Sequence, residues 1–507
     1  MLARQFHDRT THTPQSVRTS GHMLEWDIKP FPFKVYTDLP SIPLPRAIDP
    51  IATDTLVALT APPASARERL TLERLTALLY FSAGVTKKKT YPGGGEVLFR
   101  AAASTGALYQ TEVYVAAGDV EGVPAGLYHF SPGDFVLRRL RDGDVRGNLA
   151  EAAADESLAG RAAIIVLSAI YWRNTWKYQA RGYRHLFWDS GTMLANLIAV
   201  ANAIGMGPRI VTGFVDADVN RVLALDPDRE AALELVAVGP EGTRAHPPVL
   251  ENIAPATMPL SSSEVDYPEL REMHRASMLD SPATVSAWRR SSPPPRRRPT
   301  GSLIALPPAR AEAGRGLGDT IQRRGSTRRF GHAPLSTIEL GTALASATRP
   351  VAADVPGRLV DLYMVVNAVD GIEPGGYCYW PEEHALELVR AGEFRGQSAY
   401  LTLEQALGGD AAVTVFFLAP LDAILLAFGD RGYRLANLEA GLIGGRLYLG
   451  AYAQGFGASG LTFYDREVAR FFSPHATGLD AIFVTALGRS SNVGSEDVLI
   501  PRPRRRA

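Results

Sequence analysis

Residues 176–185 read WKYQARGYRH, and residues 426–435 read LAFGDRGYRL. Both contain the tetrad Arg-Gly-Tyr-Arg, starting at Arg181 and again 250 residues later at Arg431. Other landmarks keep nearly that spacing: Gly191 with Gly441, Gly205 with Gly455, Asp216 with Asp465, and Gly239 with Gly488. Upstream, YVAAGDVEGVPAGLYHF (114–130) matches YMVVNAVDGIEPGGYCYW (363–380), with Tyr128 over Tyr377. Matches at constant spacing indicate a repeat, and a repeat of this length is a whole domain rather than a solenoid unit. A chain of 507 residues also exceeds what one core holds, so two domains are expected on length alone.

Each copy reads as α+β. β-rich runs (TEVYVAA, GLYHFSP, FVLRRL) lead to a buried strand, AAIIVLSAI, and then to a long helix from about Tyr183 to Ile204, with Gly205 as its C-terminal cap. Its apolar residues Leu186, Met193, Leu194, Leu197, Ile198, Ala201 and Ile204 cover more than one stripe. Such a helix is buried on several sides, and the second side is expected to be the other copy. A short strand (PRIVTGFV), a short helix and the strand ALELVAV complete the unit. The early strands are hairpin-like, so a mixed sheet flanked by helices is predicted rather than a parallel doubly wound one.

The expected layout is an extension over 1–60, one domain over 61–260, a helix with a Pro/Arg-rich linker over 261–312, and a second domain over 313–507. The two domains form an internal pseudo-dimer around the long helices, which predicts a monomer.

Composition narrows the function. Net charge is zero, with 53 basic and 53 acidic residues, which gives no overall pull toward nucleic acid or membrane. The basic clusters RRSSPPPRRRP (289–299) and RPRRRA (502–507) are Pro-rich without an apolar period and read as solvated linker and tail. Cys378 is the only cysteine, which excludes an internal disulfide and a multi-cysteine zinc site. No secretory signal is present at the N-terminus, so a cytoplasmic location is expected.

Several motifs lack the context their chemistry needs. GFGASG (455–460) has the G-x-G-x-x-G spacing, but a helix precedes it and a strand follows, the reverse of a dinucleotide-binding turn. In KKKTYPGGGE (87–96) Lys-Thr comes before the glycines, whereas a phosphate loop places it after them, so a mobile loop is expected. The ten histidines show no metal-ligand spacing, and no G-x-S-x-G elbow is present. No metal is expected.

Two stretches remain as candidates. QRRGSTRRFG (322–331) places four arginines and two hydroxyls ahead of a helix capped by Ser336 or Thr337. Arginine forks suit a phosphate dianion, although the same residues also describe a charged helix end. FRAAASTGALYQTEVYV (99–115) places Ser104, Thr105 and Gly106 in a small polar turn before a strand. Such a turn lets backbone approach a flat ligand, or is simply a turn.

Together, Arg-Arg-x-Ser-x-Arg near a domain start, the Ser-x-Gly-Ala-Leu-Tyr turn and Lys-Tyr before Arg-Gly-Tyr-Arg resemble the flavin-dependent nitroreductase superfamily. Within it they are similar to the SagB/ThcOx-type branch, which oxidises azoline rings in modified peptides. The resemblance covers roughly 60–250 and 315–490. It implies FMN at a subunit interface, with Arg323, Arg324, Ser326 and Arg328 on the phosphate and Ser104, Thr105 and Gly106 from the opposite copy. Gly460 and Leu461 are implied against the flavin ring, and Arg489 as a second phosphate cation. The phosphate motif has no match in the first copy, where LPRAIDPIATDT (44–55) stands. The serine turn has none in the second, where ATRPVAADVPGRLVDLY (347–363) stands. One composite FMN site and one degenerate site are therefore expected. Lys177 and Tyr178 would be catalytic at the first, and Ala427 and Phe428 would mark the second.

The leading expectation is an FMN-dependent dehydrogenase of an azoline-type ring, on a small molecule or a peptide that a separate protein delivers. The alternatives are an NAD(P)H-dependent nitroreductase or quinone reductase, and a flavin-free binding scaffold.

Overall fold

The computed structural model describes residues 1–90, 96–355 and 357–491. Residues 91–95 of the lysine–glycine stretch and the arginine-rich end 502–507 lie outside the described residues. Lys87, Lys88 and Lys89 belong to a strand, Val85–Thr90, that pairs with Glu96–Arg100 as a hairpin.

Each copy carries one seven-stranded sheet. The first runs, side by side, Ser41–Pro43, Val136–Asp142, Gly126–Ser131, Thr111–Ala117, Arg161–Ile170, Glu230–Glu241 and Arg209–Val211. The second runs Leu303–Ala305, Ala385–Ala391, Gly375–Trp380, Asp361–Val366, Val413–Ala419, Asp480–Gly488 and Gly457–Gly460. The same order in both confirms the duplication. Matched side chains also do the same work: the hydroxyls of Tyr128 and Tyr377 each donate to a carbonyl four residues upstream, both at 2.7 Å. The α+β class holds, but every ladder between named strands is antiparallel rather than mixed. Parallel pairing occurs only as isolated bridges. The strands 111–142 follow one another through short turns, which antiparallel neighbours permit and parallel neighbours do not.

The long helices Gly182–Ala203 and Gly432–Ala453 pack on each other, buried over nearly their whole circumference. They touch at the matched glycines. A Cβ on Gly191 would lie 2.5 Å from the Leu438 carbonyl oxygen, and one on Gly441 would lie 2.4 Å from that of Trp188. No side chain fits there, so glycine permits the close crossing.

The repeated tetrads clasp the two copies together. Arg181 and Arg184 donate to Asp465 of the second copy at 2.9 and 2.5 Å. Arg431 and Arg434 donate to Asp216 of the first, both at 2.6 Å. The same guanidinium groups tie down the helices that precede each copy. Arg184 donates to the His7 carbonyl of helix Leu2–Arg9, and Arg434 to the His274 carbonyl of helix Pro268–Ala276. The residues expected as extension and linker therefore contain one element twice. The linker is also more ordered than its composition suggests: it contains helix Pro282–Arg289 and strand Leu303–Ala305, which joins the second sheet. Two of its arginines are docked, whereas Arg290, Arg296 and Arg298 are exposed as expected of a solvated linker. Arg289 bonds Asp354, and Arg297 bonds Asp361 and the His475 carbonyl. No described helix is long and apolar enough to cross a membrane, and the described residues contain no cluster of potential metal ligands.

Candidate active site

Lys177 and Tyr178 end the helix Tyr171–Tyr178, which follows directly from the buried strand Arg161–Ile170. The serine turn packs against them. Gly106 adopts φ +63°, and a Cβ on it would sit 3.0 Å from the Tyr178 hydroxyl and 3.4 Å from Lys177 Cδ. Glycine is required twice over, for the left-handed backbone and for the close approach. Turn and Lys-Tyr pair thus form one face of the first copy.

Asp189, on the long helix, holds the turn. It accepts from the Ser104 hydroxyl at 2.5 Å, the Thr105 hydroxyl at 2.6 Å, the Thr105 N–H at 2.9 Å and the Gln110 amide at 2.7 Å. The two hydroxyls therefore point into the fold, and the turn presents Gly106, which is exposed, and its backbone. Burial raises the Asp189 pKa to about 6, against the pull of these donors.

The second copy meets this face with its arginine motif. Arg324 crosses over and donates to the carbonyls of Arg100 and Ala101, at 3.0 and 2.8 Å, just ahead of the serine turn. Lys87 of the hairpin donates to the Arg323 carbonyl at 3.1 Å. The Ser326 hydroxyl bonds that of Tyr448 at 3.1 Å, and the same Tyr448 hydroxyl accepts from the Gly460 N–H at 2.5 Å. Tyr448 thereby joins the motif to the glycine strand. Leu461 is buried beside it, its N–H donating to the Val484 carbonyl at 3.4 Å.

The predicted cations differ in what occupies them. Arg323 pairs on the surface with Asp319, and Arg489 pairs with Glu339, which also caps its helix through Ser336. Arg324 is committed to backbone carbonyls. Arg328 is exposed and has no ion-pair partner among the described residues. It is close enough to Lys177 to act on it: burial first, then Arg328, then Lys29 lower the lysine pKa. Burial, with Asp189 adding to it, raises that of Tyr178, which keeps its proton.

The matching face of the other half is dismantled. Helix Thr55–Thr60 ends at Ala61 with φ −54° and ψ 127°, as helix Leu317–Arg323 ends at Arg324 with φ −54° and ψ 131°. Gly207 abuts residues 64–66, as Gly457 abuts Thr327. The counterpart of Arg324–Arg328 is therefore Ala61–Ser65, APPAS, and not 44–55 as the sequence comparison suggested; the helix between them displaces the register. Neither arginine survives there. The sheet edge is also covered. Ile210 donates its N–H to the Ala352 carbonyl, and Asp354 accepts from the N–H groups of Thr212 and Gly213 at 2.9 Å. Trp288 packs on Phe428 and donates to its carbonyl at 3.0 Å.

Asp189, Tyr448, Lys87 and Lys29 were not singled out from the sequence. Asp189 had a signal: it is an acid in an apolar helix, and Glu439 stands 250 residues on. Glu439 does the matching work, accepting from the Arg358 and Leu359 N–H groups at 2.5 and 2.8 Å, with burial raising its pKa to about 7.

The fold is thus a tandem of two α+β domains of one kind, with residues of both copies meeting at the Lys177 face. The chain belongs to the nitroreductase family, whose model matches residues 66–240 and again 321–484. It is 32% identical over 171 residues to a nitroreductase homologue of Methanocaldococcus jannaschii, covering 34% of this chain and 81% of that protein. It is 27% identical over 207 residues to the trifolitoxin-processing protein TfxB of Rhizobium leguminosarum bv. trifolii, covering 40% of this chain. With the microcin B17-processing protein McbC of Escherichia coli the identity is 29% over 152 residues, 29% of this chain. These matches span only about half of the two processing proteins, 55% and 52%. A crystal structure of a nitroreductase homologue from Anabaena variabilis superposes with a TM-score of 0.78 at 27% identity, covering 96% of this chain and 99% of that one. The tandem arrangement thus occurs in a second protein of nearly the same extent.

Proposed function

We propose that the chain is an FMN-dependent dehydrogenase of an azoline-type ring, with one reactive site per chain at the Lys177 face. The observation that carries this reading is the asymmetry of the two faces. One joins Gly106, Lys177 and Tyr178 to Arg328 of the other copy, which has no ion-pair partner among the described residues; its counterpart has Ala427, Phe428 and APPAS, and residues 352–354 cover the sheet edge there.

The residues present fit FMN. Arg328, the Ser326 hydroxyl and nearby backbone N–H groups offer a phosphate cradle with a free cation. Gly106 and Gly460 are both exposed and offer a surface without side chains for a flat ring. FMN, when bound, supplies the two-electron acceptor that takes hydride from the ring carbon.

The chain itself supplies the proton chemistry. Aromatising an azoline also removes a proton from carbon, and Lys177 Nζ accepts it. That requires neutral lysine, which burial and the neighbouring cations favour. Tyr178 keeps its proton; it holds the lysine against the turn and offers a hydrogen bond to the substrate. Similarity to two peptide-processing proteins supports a peptide-borne ring. Lys177→Ala should abolish azole formation while FMN stays bound; unchanged turnover would sink this reading.

A second reading is a nitroreductase- or quinone-reductase-like enzyme with NAD(P)H as donor; similarity to the Methanocaldococcus nitroreductase homologue supports a reductase. It needs no base, so there Lys177→Ala should leave the rate within about twofold, since no general-base contribution is lost.

A further inference from the structure

The segment that follows helix Pro14–Thr19 crosses the reactive face. Leu24 and Ile28 pack with Leu108, Trp172, Trp176 and Tyr178, and the Glu25 carbonyl accepts from the Trp176 indole at 2.9 Å. These contacts fasten the segment to the helix that carries Lys177. Between them Trp26 is turned outward, 65% exposed. Its ring meets that of Trp176 edge-on at 5.4 Å, and Lys29 Nζ lies 5.4 Å from its centroid. Lys29 is exposed, has no ion-pair partner among the described residues, and acts on Lys177 from the side of this segment.

The other half also carries the helix that precedes this segment. Helix Pro282–Arg289 follows helix Pro268–Ala276 as Pro14–Thr19 follows Leu2–Arg9, with Ser281 capping it as Thr13 caps the other. Trp288 lies within helix Pro282–Arg289, only 7% exposed against Phe428, whereas Trp26 lies seven residues past the end of its own. A large indole left in water gives up the burial it could gain.

We propose that Trp26 and Lys29 are the substrate-binding rim of the Lys177 site, and that they take a planar ring carrying an adjacent anionic group. The proposal rests on the Lys177 face being the reactive one. The indole offers a broad face for stacking, and the lysine beside it offers the counter-charge. Lys29 lies over the Trp26 ring on a segment fastened to the Lys177 helix, and the charged groups acting on Lys177 are cations. A ring at the C-terminal end of a peptide, with its own carboxylate next to the carbon that loses its proton, matches that arrangement. The stack places it over the face, and the ion pair sets its orientation.

The test uses the full, FMN-saturated chain with 2-phenylthiazoline-4-carboxylate and its methyl ester as probes. Trp26→Ala should raise KM for both about tenfold, with kcat within about twofold, because only stacking is lost. Lys29→Ala should raise the carboxylate-to-ester KM ratio, a comparison that cancels any effect on Lys177 common to both. Unchanged KM values and an unchanged ratio would overturn the proposal, and loss of turnover in Lys177→Ala would still leave the dehydrogenase reading standing. If wild type turns over neither probe, the dehydrogenase reading fails, and probe binding followed by the FMN absorbance decides the rim separately. Weaker binding to Trp26→Ala supports it; equal or absent binding rejects it.

Discussion

Arg184 reaches Asp465 at 2.5 Å across the boundary between the two copies, and Arg434 reaches Asp216 at 2.6 Å in the opposite sense. All four groups are buried. The tetrad that marks the duplication is therefore a reciprocal clasp. Removing one carboxylate strands two buried guanidinium groups, which costs about 3–5 kcal/mol. Asp465→Asn should lower stability by that order in urea unfolding, whereas Arg323→Ala on the exposed Arg323–Asp319 pair should change it by less than about 1 kcal/mol.

The clasp also fixes an acid response. Burial would raise the pKa of Asp216, but Arg431 and Arg434 outweigh it and bring it to about 2. A depressed carboxylate stabilises the fold above its unfolded pKa, near 4, and that contribution is lost as pH falls toward 2. Chemical denaturation between pH 5 and 2 should show this loss, and Asp216→Asn should flatten its share of the slope.

Asp189 and Glu439 act with the opposite sign. Burial lifts them to about 6 and about 7, so each folded form holds its proton longer than the unfolded chain does. Their contribution is complete below about pH 4 and is lost as pH rises through 6 to 7. Asp189→Asn should remove part of that decline. It should also loosen the serine turn, seen as faster amide exchange at Thr105.

A Cβ on Gly106 would sit 3.0 Å from the Tyr178 hydroxyl, so Tyr178 would have to give way. Gly106→Ala should displace the Lys-Tyr pair by a fraction of an ångström and lower kcat by roughly 10- to 100-fold, since reacting groups tolerate little misplacement. The strained backbone should cost on the order of 1 kcal/mol. Normal turnover in this variant would separate the turn from the chemistry.

Neutral Lys177 as the base predicts a rate that rises with pH through a pKa below the usual lysine value. Lys29→Ala removes one of the cations that depress it, so the rising limb should move to higher pH. A limb that stays in place would assign it to another group.

One reactive face predicts one FMN per chain on denaturing the saturated protein. Arg328→Ala should weaken FMN binding by about ten- to a hundredfold, the worth of a charged hydrogen bond. Two FMN per chain would mean that APPAS and the covering segment 349–355 do not close the second site.

The periodic features were legible in the sequence because they are repeated. Tyr128 with Tyr377, Gly191 with Gly441, and Asp216 with Asp465 fixed two α+β copies and the helix that each buries. The complementary losses, with arginines in one copy and the serine turn in the other, pointed to one composite site. The tertiary structure decided what each polar group faces, because those partners lie hundreds of residues away. Only packing shows that the Ser104 and Thr105 hydroxyls turn to Asp189, that Arg324 holds a neighbouring backbone, and that Arg328 has no ion-pair partner among the described residues. The helix ending at Ala61 moved the expected counterpart of the arginine motif, since spacing in sequence does not count a displaced helix. The outward turn of Trp26 is likewise a result of packing, since Leu24 and Ile28 on either side of it are fastened to the helix of Lys177.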